Sequence, residues 1–245
     1  MLELNKIYEA DCLEKMKEID DKSIDMVLCD LPYGTTACKW DTIIPFEPLW
    51  KQYKRIIKDN GAIVLTASQP FTSALVMSNI KMFKYEWIWE KTRGTGFLTA
   101  TKIPLKVSEN ILVFYSKQPT YNPQKFKGKP YKAHPGGSKS NGIYGQNSSF
   151  LHKGNIKGEM FPRNIIKFKI ERGLHPTQKP VALFEYLIKT YTNEGDLVLD
   201  NCIGSGTTAV ACINLKRNWI GIEKEEKYCN IANERIKNLP IKLIN

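Results

Sequence analysis

Asp196-Leu197-Val198-Leu199-Asp200-Asn201-Cys202-Ile203-Gly204-Ser205-Gly206-Thr207-Thr208, running directly into 209–215, is the stretch that decides the fold. The apolar run ending in Asp200 reads as a strand and 209–215 as a helix, so the loop between them carries the chemistry. Gly204 and Gly206 let the backbone turn sharply and approach a ligand, and the helix N-terminus offers free N–H groups. Glu223 closes the next apolar run, 17 residues after Gly206. A carboxylate at that place can accept both hydroxyls of a ribose. The loop lacks the third glycine of a dinucleotide fingerprint and the Gly-Lys-Ser/Thr of a phosphate loop. It therefore points to a nucleoside cofactor without a pyrophosphate. The alternative for this unit alone is a tight turn beside a strand-ending acid.

Upstream, 6–11 reads as a short strand ending in Asp11, followed by a short helix with Leu13, Met16 and Ile19 on one side. Ile24–Asp30 is nearly all apolar, as in a parallel strand covered on both faces. Phe46, Leu49, Trp50, Tyr53, Ile56 and Ile57 share a helical face, and Asn60-Gly61 reads as the stop of that helix. A strand at 62–67, a helix opened by Pro70, and strands at 86–90 and 110–115 follow. Beyond Pro180, Leu183, Phe184, Leu187, Ile188 and Tyr191 mark a buried helical face, and Tyr228, Ile231, Ile236 and Leu239 mark the last one. Strands alternating with helices predict an α/β fold: an open, doubly wound, mostly parallel sheet of Rossmann-like type. No internal repeat is present.

The net charge of +11 is concentrated. Between Lys117 and Arg172 there are twelve Lys/Arg and two acids, a balance of +10, with seven Gly and five Pro among scattered aromatics. No helix or strand period holds there. The expected division is a catalytic, cofactor-binding domain of 1–116 with 173–245, and a basic, loop-rich insertion of 117–172. Concentrated positive charge attracts a polyanion, and lysines interleaved with aromatics suit phosphate contact plus base stacking. The candidate nucleic-acid contacts are Lys125, Lys127, Lys129, Lys132, Lys139, Lys153, Lys157 and Arg163. No apolar run approaches the roughly 18 residues of a membrane span. Six cysteines without a Cys-x-x-Cys pair, and three dispersed histidines, argue for a reduced cytoplasmic protein without a metal site.

Asp30-Leu31-Pro32-Tyr33 ends the second strand with a carboxylate, a rigid proline and an aromatic ring. Together with the 200–207 loop and His175-Pro176-Thr177-Gln178-Lys179-Pro180, it resembles the S-adenosylmethionine-dependent DNA amino-methyltransferases. The catalytic motif precedes the cofactor loop, as in that family's beta-ordered subgroup. The resemblance covers Asp11 to about Tyr115 and His175 to about Asn238; the basic insertion has no assigned counterpart.

The resemblance implies the following roles. Asp200, Cys202, Gly204, Ser205, Gly206 and Thr207 would surround the methionine part of S-adenosylmethionine, and Glu223 would hold its ribose. Asp11 and Cys12 would lie against its adenine, and His175, Thr177 and Lys179 near its carboxylate end. Asp30, Leu31, Pro32 and Tyr33 would meet the target base in double-stranded DNA, with Asp30 also bordering the cofactor. The family normally has Pro where this chain has Leu31. The contact there is main-chain, and Pro32 still biases residue 31 towards extended geometry. Asn201-Cys202 replaces a more common Pro-Phe. Asp rather than Ser at position 30 favours adenine-N6 over cytosine-N4. Other readings are an RNA or protein-glutamine methyltransferase, and a DNA-binding protein without catalysis. A homodimer and a cognate restriction endonuclease are partners the resemblance brings into view, and no residue here selects either.

Overall fold

The computed structural model describes residues 2–36, 38, 41–132, 155–171, 173–174 and 178–239. The chain begins with β1 (Lys6–Glu9) and α1 (Cys12–Lys15), then β2 (Ile24–Asp30), α2 (Phe46–Ile56), β3 (Ile57–Ala67) and α3 (Phe71–Ser78). β4 (Phe83–Thr95) and β5 (Lys106–Phe114) follow, then β6 (Phe126–Lys127), β7 (Glu159–Met160) and β8 (Ile165–Phe168). α4 (Val181–Tyr191), β9 (Leu197–Asp200), α5 (Thr207–Asn214), β10 (Asn218–Glu223) and α6 (Glu226–Lys237) complete it.

Eight strands form one sheet in the order β1-β10-β9-β2-β3-β5-β4-β8. The pairs from β1 to β3 are all parallel, as is β4 with β8, whereas β5 runs antiparallel to both its neighbours. Period-2 alternation explains why the central strands are apolar throughout. In β2, Val27 and Cys29 face a core shared with Leu49, Tyr53 and Phe71, while Met26 and Leu28 face one shared with Leu183, Leu187 and Ala209. Helices thus cover both faces of the middle of the sheet.

From β2 the chain winds outward through β3. It returns to β9, beside β2, and then winds the other way through β10. β2 and β9 therefore flank a topological switch point, where a crevice opens beyond the carboxyl ends of the strands. Asp30 and Asp200 are the last residues of these two strands. Asp25 pins the opposite end, accepting hydrogen bonds from Lys58 Nζ (2.6 Å) and the Leu197 backbone N–H (2.9 Å).

Several boundaries differ from the sequence expectation. The helix ends at Ile56 rather than at Asn60-Gly61, because residues 57–61 already belong to β3, whose register with β2 shifts between Ile24 and Met26. β4 and β5 are longer than expected and form a hairpin with only the short 3-10 turn Phe97–Thr99 between them. Chain contacts divide the protein into Met1–Asn122 with Asn164–Asn245, and Pro123–Arg163. The second unit is narrower than 117–172, because β8 pairs with β4 and belongs to the large sheet. Within Pro123–Arg163, β6 pairs antiparallel with β7, and Tyr131 bridges Asn155.

Gly61 is required by close approach rather than by an unusual φ. A Cβ there would stand 2.8 Å from the Asp25 carbonyl oxygen and 2.7 Å from Ile57 Cγ1. Backbone cannot retreat as a side chain can, so Gly61→Ala is expected to lower stability by about 1–3 kcal/mol, read as a shifted denaturant midpoint with unchanged m-value.

Candidate active site

The sheet register places the first group of side chains. Asp30 on β2 is the direct partner of Thr66 on β3. The Thr66 hydroxyl donates to Asp30 Oδ1, and the Tyr33 hydroxyl lies 2.8 Å from the same oxygen and 2.9 Å from Thr66 Oγ1. Asp30 Oδ2 accepts from Lys179 Nζ at 2.5 Å. Lys179 is only 6% exposed, and its Nζ is also 3.6 Å from Glu109 Oε2, whose other oxygen pairs with Lys91. Two carboxylates and two ammonium groups thus alternate from Asp30 at the end of β2 to Lys91 on β4. Burial pulls the Lys179 ammonium toward deprotonation, but the charges of Asp30 and Glu109 outweigh it and its pKa is raised. Burial, then Asp30 and Glu109, hold the Tyr33 phenol well above its ordinary value, so it stays protonated.

The Tyr33 ring stacks on Phe71, with centroids 5.2 Å apart and planes inclined by 26°. Gly34 follows with φ +66°, and the turn is held from beneath by buried Asp41. Asp41 accepts the backbone N–H groups of Gly34, Thr35 and Thr36 at 2.9, 2.9 and 2.7 Å.

The 200–207 loop is tied to the neighbouring strand. Glu223 Oε2 accepts the Gly204 N–H at 2.9 Å, and Oε1 accepts those of Lys224 (2.9 Å) and Glu225 (3.0 Å). Burial still raises the Glu223 pKa against these donors. Asp200 accepts the Cys202 N–H at 3.1 Å and the Thr208 hydroxyl, yet burial pushes its carboxyl up to about 7. Gly206 adopts φ +80°, and a Cβ there would stand 3.1 Å from Ala232 Cβ, so the glycine lets α6 pack against the loop. Arg235 on α6 donates to the Ser205 carbonyl (3.1 Å) and Thr207 Oγ1 (3.2 Å).

Asp30, Leu31, Pro32, Tyr33, Lys179, Asp200, Cys202, Gly204, Ser205, Thr207 and Glu223 all line one cavity of ≈370 Å³. Asp11 and Cys12 line a second cavity of ≈190 Å³, which Pro32, Cys202 and Glu223 border as well. Asp11 also caps α1, accepting from the Leu13 N–H at 2.9 Å. Gly206 is not among the lining residues. Lys179, which the resemblance puts at the carboxylate end of the cofactor, has its ammonium group on Asp30. His175 and Thr177 lie outside the described residues, as do Lys139 and Lys153. Lys125, Lys127, Lys129, Lys132, Lys157 and Arg163 are exposed, and Lys125 pairs with Glu159 at 3.2 Å. Among the described residues, no group of three or more His, Cys, Asp or Glu is arranged to hold a metal.

Sequence reasoning missed Thr66, Glu109 and Asp41, and singled out Lys91 only within the stretch 91–96 as a DNA contact. Thr66 carried a signal, being a polar residue near the end of an otherwise apolar strand. Glu109 and Lys91 meet only through the β4–β5 hairpin, and Asp41 only through a loop closed by its own hydrogen bonds.

Asp200 has a folded pKa of about 7 against an ordinary 3.8. A raised acid favours the folded state below the unfolded value and loses that contribution as pH climbs through the folded one. The thermal midpoint is therefore expected to fall between about pH 4 and pH 7, and Asp200→Asn to flatten that slope. A variant curve superimposable on the wild-type slope would show that Asp200 ionises freely.

Residues 24–234 match the family model described as DNA methylase. The type II methyltransferase M1.MboII of Moraxella bovis is 28% identical over 275 residues, an alignment spanning 98% of this chain and 100% of that protein. M.HpaI of Haemophilus parainfluenzae is 29% identical over 254 residues, covering 93% of this chain and 72% of that one. Among solved structures, the M1.HpyAVI–SAM complex superposes with a TM-score of 0.64 at 26% identity, covering 94% of this chain and 98% of that chain. The cytosine-N4-specific PvuII DNA methyltransferase, 16% identical with a TM-score of 0.69 over 97% and 87% of the two chains, shares the fold. With the match running from the second strand to the last helix, through both halves of the cavity, the chain belongs to the DNA methylase family.

Proposed function

We propose that the protein transfers a methyl group from S-adenosylmethionine to the exocyclic N6 amine of an adenine flipped out of double-stranded DNA. One observation carries this reading: the Asp30 carboxylate, held by Thr66, Tyr33 and Lys179, opens into the same cavity as the loop that Glu223 organises. The residues present fit the cofactor. Glu223 keeps a carboxylate at the strand end suited to a ribose, Gly204 and Gly206 put no side chain at two positions of the turn, and Asp200, a buried acid, ends the strand before it. Asp11 and Cys12 border the adjoining cavity, where an adenine would lie.

When bound, S-adenosylmethionine supplies a methyl group already activated by its sulfonium. The chain's task is then positioning and electrostatics. An exocyclic amine is a poor nucleophile because its lone pair is delocalised into the ring. Asp30 and the Leu31 carbonyl accept its two hydrogens, which favours a more tetrahedral nitrogen with its lone pair free. Lys179 pairs with Asp30 and occupies Oδ2, so Oδ1 is the oxygen offered to the amine once the Tyr33 hydroxyl yields its place. Tyr33 then exchanges its contact with Asp30 for stacking on the base, and Pro32 keeps the turn rigid. A base inside a duplex cannot reach this edge, and extruding it costs a few kcal/mol. The exposed lysines of Pro123–Arg163 are proposed to grip the phosphates. A cytoplasmic location, a homodimer and a cognate restriction endonuclease belong to the same proposal. Sedimentation of the purified protein tests the second, and cleavage of unmodified DNA by extracts of the source cell tests the third.

DNA incubated with methyl-labelled cofactor is expected to carry label at adenine N6; label at cytosine N4, in RNA or in protein replaces this reading. Asp30→Ala should lower kcat by about 10²-fold or more while DNA affinity stays near the wild-type value. Neutralising Lys125, Lys127, Lys129 and Lys157 should weaken binding and reduce the slope of log K against log salt by about 0.9 for each phosphate that is no longer neutralised. An unchanged slope would remove this unit from the DNA face.

A further inference from the structure

The hairpin joining β4 to β5 is longer than the sheet requires. β3 stops at Ala67, opposite Asn110, whereas β5 begins four residues earlier at Lys106, paired with Thr95. β4 runs parallel to β3 across β5, so the overhang leaves the sheet at the edge that carries Asp30. Gly96, at φ +91°, then turns the chain into the 3-10 turn Phe97–Thr99.

This arm has an unusual surface. Phe97 is 57% exposed, Leu98 102%, Ile103 58%, Leu105 37% and Val107 48%. Five exposed apolar side chains within one hairpin arm are the composition of an interaction site rather than of a solvated loop. From Lys91 to Ser108 the chain contains Lys91, Arg93, Lys102 and Lys106 and no acid. The Arg93 guanidinium lies over the Phe97 ring, 5.6 Å from its centroid. Lys91, Thr95 and Lys106, at the base of the arm, line the ≈370 Å³ cavity. One element thus combines an apolar tip, a cationic stem and a root in the wall of the base pocket.

The geometry points to a wedge: we infer that the arm enters duplex DNA beside the target, its apolar tip filling the space that the extruded base vacates while Arg93 and Lys102 meet the flanking phosphates. Charge selects this occupant. A second copy of the chain would bring another arm bearing four cations and no acid, in a protein of net charge +11, whereas DNA brings phosphates outside and stacked apolar bases inside. Apolar side chains inserted between base steps are an established way to unstack a duplex, and the cost of flipping is what such a wedge offsets. The inference rests on the methyltransferase reading above.

The test compares wild type with the double variant Phe97→Ser, Leu98→Ser, whose exposed positions should leave the melting temperature unchanged. Two oligonucleotide duplexes carry the modified site, one with the target base paired and one with it mismatched. The variant is expected to methylate the paired duplex at least tenfold more slowly and the mismatched duplex within about twofold of wild type, because a mismatch lowers the cost of extrusion. Equal loss on both duplexes, or loss on neither, overturns the wedge. So does a change of sedimentation coefficient in the variant with an unaltered paired-to-mismatched ratio, which would assign the arm to a second copy. If the wild-type chain methylates neither duplex, the methyltransferase reading falls instead. The arm is then read from 2-aminopurine at the target position, whose fluorescence rises on leaving the stack: loss of that rise in the variant supports the wedge, and its retention overturns it.

Discussion

The structure depends on pairing a carboxylate at the end of a buried parallel strand. Asp30 sits where β2 runs out of sheet, with apolar packing behind it, and a bare carboxylate there would carry a large desolvation cost. Lys179, on the segment leading into α4, meets that cost, and Glu109 and Lys91 extend the pairing into an alternating row. Such a row is expensive to break at one member, since each ion left alone is buried without its partner. It couples three segments distant in sequence: the end of β2, the β4–β5 hairpin and the chain leading into α4.

Sheet topology decides that these charges share a cavity with the 200–207 loop. Winding outward from β2 and then outward again from β9 leaves the two strands adjacent, with no helix crossing above their carboxyl ends. The two halves of the cavity are held differently. On the β9–β10 side, backbone N–H groups converge on Glu223 and the loop is fastened at several points. On the β2 side, Tyr33 is fixed by one hydroxyl and a stacked neighbour, so it can exchange both for a base without unfolding the turn that Asp41 holds. A firmly held donor site facing a more adaptable acceptor site suits a reaction whose cofactor diffuses in ready-made and whose substrate must be pulled from a helix.

Much of this was legible in the residues. The continuous apolar runs at 24–30 and 197–200 and their terminal aspartates announced strands buried on both faces, and Gly204 and Gly206 marked the sharp turn that Glu223 fastens. Legibility failed where partners were non-local. Asn60-Gly61 has the composition of a helix stop, yet Gly61 serves a close approach to the Asp25 carbonyl inside a strand. Ile165–Phe168 looked like the tail of a basic loop because an edge strand need not be apolar on both faces, and only its pairing with β4 identifies it.

The sequence by itself determined the local conformations and the chemical types of the strand-end residues, because strand and helix periods, turn glycines and terminal acids act over a few neighbouring residues. The tertiary structure alone decided that Lys179 would neutralise Asp30, 149 residues away, and that Thr66 would stand beside it. It also decided that the β4–β5 hairpin would rise from the same edge with its apolar tip uncovered. Charge pairing, sheet register and exposure are relations between distant segments, set by how the strands are ordered, and no local pattern encodes that order.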